Sequence, residues 1–251
     1  MRVSLNEIQV ICRKAFEGIG FAPGDCDDAA EMIARLQQQG LDGIGALQKA
    51  LDFLHDEVDR PIETCYEDAT QLTLDAHGQS VLRCAAQAIE LGVGKALRGG
   101  SALIRVRHCH NRILLLGYLA RCAGQGLNFC VYWRDARQEL VATFSAGNTS
   151  PALRVYDLPQ PAQGDEQSIN VLISRHFALL PRLSAADAAP TLEFSQPAAA
   201  GGLQVNDEVW AQLKKLGERV LVESTEESRR RGAGEGSDAR YTPQTRIRNH
   251  Q

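Results

Sequence analysis

The chain has 251 residues, which is enough for one large domain or two small ones whose core needs no disulfide or metal support. Its hydrophobic content of 44% and charged content of 23% are those of an ordinary globular protein. The net charge of -4 argues against the basic surface that nucleic acid or an anionic membrane would need, so neither is an expected partner.

The cysteines and the N-terminus indicate the compartment. The 7 cysteines are odd in number, form no CxxC pair and mostly stand in apolar runs, as reduced thiols do. The N-terminus MRVSLNEIQV has no apolar stretch of signal-peptide type, and no run in the sequence is long enough to cross a bilayer. We therefore expect a cytoplasmic protein.

The first part of the sequence has the patterns of three helices. Ser4 and Glu7 have capping-box spacing at the start of an apolar repeat with helical period. A second helix is expected to start near Asp25, whose side chain can cap it, and to end at Gly40. A third is expected to start after Asp42.

Strand and helix patterns alternate in the middle of the chain. The predicted strands are TQLTLDA, SALIRVRH, LNFCVYWR, ELVATFS, ALRVYDL and SINVLIS. The predicted helices are QSVLRCAAQAIELGVGKAL, Ile113–Ala123 and a last one from Asp207. Residues 1–57 are thus predicted to form a helical unit packed on a mixed α/β domain at 58–222, followed by a polar arm or disordered tail at 223–251.

The stretch RVRHCHNR, Arg105 to Arg112, lies where a predicted strand gives way to a helix. Such junctions often carry function, because the carboxyl ends of strands open onto a crevice. If the strand continues, His108 and His110 lie on one face, where one of them can act as an acid or base. Arg107 and Arg112 can receive a carboxylate with two hydrogen bonds.

Other interpretations of this stretch stay open. The two histidines can be structural, or they can begin a zinc site whose third ligand would come from His176, Asp135 or Glu139, although the sequence specifies none of these. Cys109, between the histidines, can be an activated thiol nucleophile, but most cysteines are inert. We predict no metal at this site.

The polar tail has two interpretations as well. Its segment Ser224–Gly236 contains hydroxyls, glutamates, flexible glycines and the arginines Arg229 and Arg231. A charged terminus is usually only solvated. Because Arg229 and Arg231 can pair with an anion, we predict that they help to complete the ligand pocket.

Two stretches carry a family resemblance. The N-terminal run SLNEIQVICRKAFEGIGFAPGDCDDAAEMIARLQQQGLDGIG and the middle run HNRILLLGYLARCAGQGLNFCVYW resemble the malate/L-lactate dehydrogenase family of non-Rossmann, NAD(P)-dependent oxidoreductases. The chain also looks like a shorter bacterial branch of that family, known as a domain of unknown function. The resemblance implies the family fold, a homodimer, and NAD or NADP as the cofactor to test.

The family motifs are only partly present. Where the family has Ser-His-Gly-x-x-Arg, this chain has Gly43 to Gln48 and keeps only a glycine. The family's acid/base histidine aligns with Arg112, while Asn111, Gly117 and Tyr118 match flanking positions. The sequence has no G-x-G-x-x-G after a strand and no Walker lysine motif.

A third family motif has a loose counterpart. GNTSP, Gly147 to Pro151, stands where the family has its Gly-Thr-Asn-Pro loop on the nicotinamide side. His110 lies two residues before the aligned position of the family histidine and can partly replace it.

Together these features predict a protein of small-molecule metabolism that binds an anionic carboxylate ligand on a dehydrogenase-like scaffold. A divergent NAD(P)-dependent oxidoreductase of 2-oxoacids or imino acids and a non-catalytic binding or scaffold protein are the alternatives, so catalysis is left open. The predicted catalytic residues are His110 and His108, and the predicted ligand-binding residues are Asn111, Arg112, Arg107, Arg229 and Arg231.

Overall fold

The computed structural model describes residues 1–135, 137–158, 167–176, 192–194 and 202–220. In this part of the chain the α-helices are α1 Leu5–Gly18, α2 Pro23–Gln38, α3 Gly43–Leu54, α4 Val81–Gly99, α5 Leu115–Gly124 and α6 Asp207–Glu218. The strands are β1 Arg2–Val3, β2 Glu63–Glu67, β3 Gln71–Asp75, β4 Ser101–Arg107, β5 Asn128–Asp135, β6 Gln138–Phe144, β7 Ala152–Asp157, β8 Ile169–Ser174, β9 Leu192–Phe194 and β10 Leu203–Gln204. The predicted fold class, a helical N-terminal unit on a mixed α/β domain, is confirmed.

One mixed sheet organises the α/β part. Its strand order is β2-β3-β4-β8-β5-β6-β7-β9, and β1 pairs separately with β10. β3 and β4 are parallel, whereas β8 is antiparallel to both β4 and β5. β3, β4 and β5 therefore run in the same direction, and their carboxyl ends meet at one edge of the sheet.

Two predicted helix starts are confirmed. The Ser4 side chain caps α1 by accepting from the backbone N–H of Glu7, and the Glu7 carboxylate accepts from the Ser4 N–H at 2.7 Å. Asp42 caps α3 by accepting from the N–H of Gly45 at 2.9 Å. Each cap satisfies an N–H group that a helix start otherwise leaves without a partner.

The predicted cap of the second helix is wrong. α2 starts at Pro23, two residues before Asp25, and the residue before it, Ala22, makes no side-chain capping bond. Proline at the first helical position supplies a pre-set φ and has no N–H to cap, so the helix starts without an Asp cap. α2 ends at Gln38, and Gly40 follows with a φ of 77°.

Replacing Ser4 with alanine is expected to lower the free energy of unfolding by about 1 kcal/mol, because the N–H of Glu7 loses its acceptor. Ser4→Thr keeps the hydroxyl and serves as the control. Urea unfolding of the two variants and the wild type measures the difference. Equal losses in both variants would show that the cap hydroxyl is not the cause.

The edge hairpin β2–β3 was not predicted as a pair of strands. All five side chains of β2 are exposed, so the strand has no buried alternating face for a sequence pattern to reveal. The hairpin is fastened to α4 by Lys95, whose Nζ donates to Glu67 at 2.7 Å. Its turn is organised by Asp68, which accepts from the N–H groups of Thr70 at 2.7 Å and Gln71 at 2.6 Å.

The turn at Asp68 predicts a pH dependence of stability. The N–H groups of Thr70 and Gln71 lower the pKa of Asp68 from 3.8 to about 2. A lowered folded-state pKa gives stability that is present above the ordinary value and is lost as the pH falls towards about 2. The stability difference between wild type and Asp68→Asn should therefore shrink over that interval, as measured by urea unfolding at successive pH values. A difference that does not change with pH would contradict this.

The structure does not test several of the expectations. The tail at 223–251, with Arg229 and Arg231, lies outside the described residues. The division at residue 57 and the homodimer stay predictions. Among the helices in the described part of the chain, none combines the length and apolar character needed to cross a bilayer.

Candidate functional site

The stretch after β4 lies at the carboxyl edge of the sheet and has an unusual backbone. β4 ends at Arg107, which is in register with Asp75 at the end of β3. His108 and Asn111 then take left-handed φ values of 50° and 57°. Such values are uncommon for residues other than glycine and often mark functional sites.

The prediction that His108 and His110 share a strand face is wrong. The strand has already ended, and the positive φ of His108 breaks the alternation of side chains. The ring of His108 turns towards Asp75, whereas the ring of His110 is parallel to that of Phe53, with ring centroids 6.3 Å apart and 9° between the planes.

His108 and Asp75 form a hydrogen-bonded pair. Nδ1 of His108 lies 2.9 Å and 2.8 Å from the two carboxylate oxygens of Asp75. Burial opposes ionisation of Asp75, but hydrogen bonds from the His77 N–H and from His108 outweigh it and lower the Asp75 pKa. The carboxylate thus orients the imidazole and leaves its Nε2 for proton exchange, on a side chain that is 43% exposed.

His110 is fixed mainly through its backbone. Its N–H donates to the carbonyl of Gln79 and its carbonyl accepts from the N–H of Val81, each at 3.0 Å. The carboxylate of Glu57 accepts from the Ser80 N–H close by. This arrangement ties the start of α4 to the predicted site and gives the His110 ring an aromatic neighbour.

Arg112 has the most unusual environment of the predicted residues. Its side chain is only 6% exposed, and its Nη2 donates to the carboxylate of Asp135 at the end of β5. Its Nη1 and the Oδ1 of Asn111 are buried and have no hydrogen-bond partner within the described part of the chain. Buried polar atoms are nearly always paired in proteins, so these two mark a place for an ordered water or a ligand.

The predicted residues of the junction are neighbours in the sequence, but the structure separates their side chains. His108 pairs with Asp75, His110 lies against Phe53, and Arg112 pairs with Asp135. Neither the pairing of His108 with Asp75 nor that of Arg112 with Asp135 was predicted from the sequence. The signal that could have found them is their position, since each ends a strand at the same edge as β4.

The structure does not assemble the hypothetical zinc ligands. Asp135 is engaged by Arg112, and Glu139 accepts from Arg134 at 2.6 Å. His176 follows β8, whose carboxyl end lies at the opposite edge of the sheet. No cluster of three or more His, Cys, Asp and Glu side chains suited to a metal occurs within the described residues.

Cys109 is enclosed in the core. Its residue exposure is 0%, and its Sγ donates to the carbonyls of Val106 at 3.6 Å and Gln167 at 3.4 Å. Reactive cysteines need access and a positive environment that favours the thiolate. The thiol here is a packed donor, and this geometry does not suit a nucleophile.

The loop that resembles the family's nicotinamide-side motif is engaged with its own chain. Asn148 accepts from the N–H of Ser150 at 2.9 Å, and the Ser150 hydroxyl donates to Gln39 at 2.8 Å. Gly147 has a φ of 80°, which serves the turn after β6. These groups do not fit a nicotinamide cradle, because their hydrogen bonds are already made within the protein.

Sequence comparison identifies one family. Residues 3–90 match a protein family of unknown function, DUF3726. No curated protein has a sequence that matches this chain.

Solved structures resemble the fold at low sequence identity. A dehydrogenase from Sinorhizobium meliloti is 13% identical with a TM-score of 0.62, over 86% of this chain and 99% of that chain. A malate dehydrogenase from Entamoeba histolytica is 10% identical with a TM-score of 0.59, over 87% and 97%. A delta1-piperideine-2-carboxylate reductase from Pseudomonas syringae is 15% identical with a TM-score of 0.59, over 86% and 99%. The chain therefore has the malate/lactate dehydrogenase-like fold that its sequence predicts.

Proposed function

We propose that the chain is a protein of small-molecule metabolism that binds an anionic carboxylate ligand at the junction after β4. In this proposal the guanidinium of Arg112 binds the carboxylate. The observation that carries this proposal is the buried guanidinium of Arg112, whose Nη1 has no partner in the described part of the chain. The neighbouring Asn111 Oδ1 is in the same state. A carboxylate with a hydroxyl or a protonated imine next to it supplies an acceptor for Arg112 and a donor for Asn111.

Asp135 has a defined part in this proposal. Its carboxylate holds Arg112, yet its side chain is 54% exposed, so it can turn into water at low cost. The ligand carboxylate then takes its place on the guanidinium, which always stays charged. Asp135 thus keeps Arg112 paired when no ligand is bound.

The structural relatives support a carboxylate as the ligand class. Two of them are named after a compound that carries a carboxylate. They are a malate dehydrogenase and a delta1-piperideine-2-carboxylate reductase. The shared element of these compounds is the carboxylate. Arginine suits that group because its planar fork matches the two oxygens.

A second candidate function, a divergent oxidoreductase of 2-oxoacids or imino acids, is favoured by the His108–Asp75 pair. An imidazole held by a carboxylate through one nitrogen can donate or accept a proton at the other. In this role His108 is a better candidate than His110, whose ring stacks on Phe53. The GNTSP loop does not support a nicotinamide site, so we derive no hydride-transfer step.

One titration separates the two functions. Purified protein is titrated with pyruvate, oxaloacetate and 2-oxoglutarate, with and without NADH or NADPH, by calorimetry and by absorbance at the nicotinamide band. We expect carboxylate binding without a nucleotide requirement. Nucleotide binding with turnover would favour the oxidoreductase, and Asp75→Asn should then slow turnover with little change in ligand affinity. No binding of any of the three 2-oxoacids would overturn the carboxylate proposal and the 2-oxoacid form of the second candidate.

A further inference from the structure

A polar pocket whose lining does not include Arg112 lies beside the start of α4. It is formed where the starts of α2 and α4 meet the segment that follows α3, and its volume is about 270 Å³. This volume suits a ligand of a few heavy atoms. Its polar lining consists of Asp25, Asp59, Arg60, Gln79, Arg83 and Gln87.

Arg83 is the centre of this pocket. Its side chain is 4% exposed, its Nε donates to Glu57 at 2.9 Å, and its guanidinium lies 3.8 Å from the ring centroid of Phe21. Its Nη1 is buried and makes no hydrogen bond to any described residue. The closest carboxylate oxygen on the pocket side belongs to Asp59, at 4.0 Å, which is beyond hydrogen-bond distance. The pocket therefore has an arginine donor without an acceptor.

Two carboxylates, Asp25 and Asp59, line the pocket together with two arginines, Arg60 and Arg83. Burial and the charge of Asp59 raise the pKa of Asp25, and the charge of Arg83 opposes this only in part. Arg83 already shares its charge with Glu57 on its other side. A cationic group between Asp25 and Asp59 would stabilise the charged form of Asp25.

We propose that this pocket binds a small zwitterion, an α-amino acid, with its carboxylate on Arg83 and its ammonium between Asp25 and Asp59. The lining offers positive and negative side chains within one small cavity. A simple anion would pair only with the arginine, and a simple cation would pair only with the carboxylates. The Asp59 carboxylate lies 4.0 Å from Nη1 of Arg83, and its side chain is 62% exposed. It can therefore rotate and leave room for the ligand carboxylate beside Nη1. Gln79 of its lining bonds the backbone of His110, but the ligand is held by Arg83 and not by Arg112, so the site does not depend on the carboxylate proposal.

The binding experiment compares an amino acid with its two halves. Full-length protein is screened against the common L-amino acids by thermal shift, and calorimetry then measures the best one beside its analogues without the ammonium and without the carboxylate. Each analogue is expected to bind about tenfold more weakly or worse, because it leaves one charged group of the pocket without its partner. Equal binding of either analogue, or no stabilisation by any amino acid, would overturn the proposal.

Variants locate the site. Asp25→Asn and Asp59→Asn should each weaken amino-acid binding about tenfold. Asp25→Asn should still fold, because burial already opposes the charge of Asp25. Asp27→Asn is the matched control, since Asp27 is on the same helix but pairs with Arg13 at the surface. Losses equal to that of Asp27→Asn, or stabilisation by magnesium or calcium and not by amino acids, would contradict the assignment.

Arg112→Met separates this proposal from the carboxylate site. It should leave amino-acid binding unchanged while it weakens binding of the 2-oxoacids. A parallel loss of both ligands would mean that they share one site, and the proposed amino-acid site would then be wrong.

Discussion

Replacing Gly117 with alanine is expected to lower the free energy of unfolding by about 3 kcal/mol or more. α5 crosses α2 so closely at this residue that an added Cβ would lie 2.0 Å from the carbonyl oxygen of Met32 and 2.7 Å from its carbonyl carbon. Both neighbours are backbone atoms of α2, so no side-chain rotation can relieve the clash. The two helices must move apart, and the packing around the buried Tyr118 and Met32 would be lost.

Gly94→Ala is the control for this variant. Gly94 is also inside a helix, α4, but the nearest atom to an added Cβ is the Nη1 of Arg98 at 3.9 Å. Alanine there should raise stability by about 0.5 to 1 kcal/mol through helix propensity. Urea unfolding of both variants gives the comparison. Similar values for the two would mean that helix propensity, and not close packing, decides the outcome at Gly117.

The glycine also illustrates what the sequence can predict of the fold. The Gly-Tyr pair at 117 and 118 carried the family resemblance, and the apolar period predicted a helix there. The reason for the glycine is the position of the Met32 carbonyl, a residue far away in the chain. Local patterns predict elements and several caps, because those depend on neighbouring residues, but they do not contain such tertiary contacts.

The candidate site was likewise predicted only in part from the sequence. The sequence located the junction at 105–112, since the change from strand to helix pattern is local. It failed on the direction of the two imidazoles, because the left-handed backbone of His108 has no signal in a residue that is not glycine. It also missed Asp75 and the pairing of Asp135 with Arg112, because both carboxylates reach the site only through β3 and β5, which run in the same direction as β4.

Replacing Arg112 with methionine is expected to weaken carboxylate binding about 100-fold, because the ligand loses a charged, paired hydrogen-bond donor in a buried place. The measurement is calorimetry with the 2-oxoacid that binds the wild type best. Methionine fills much of the space of the arginine stem. Asp135 is 54% exposed and returns to water, so stability should change little. The loss of binding can therefore be assigned to the missing guanidinium and not to unfolding.

Arg134→Met is the matched control. Arg134 also stands at the end of β5 and pairs with a carboxylate, that of Glu139, but its side chain is 55% exposed. Removing it changes the net charge by the same amount and should alter affinity by only about twofold, since exposed ion pairs and distant charges are screened by water and salt. If both variants lose affinity equally, the effect of Arg112 is a general effect of charge. A selective loss in Arg112→Met would assign the carboxylate to the guanidinium whose Nη1 is unpaired within the described structure.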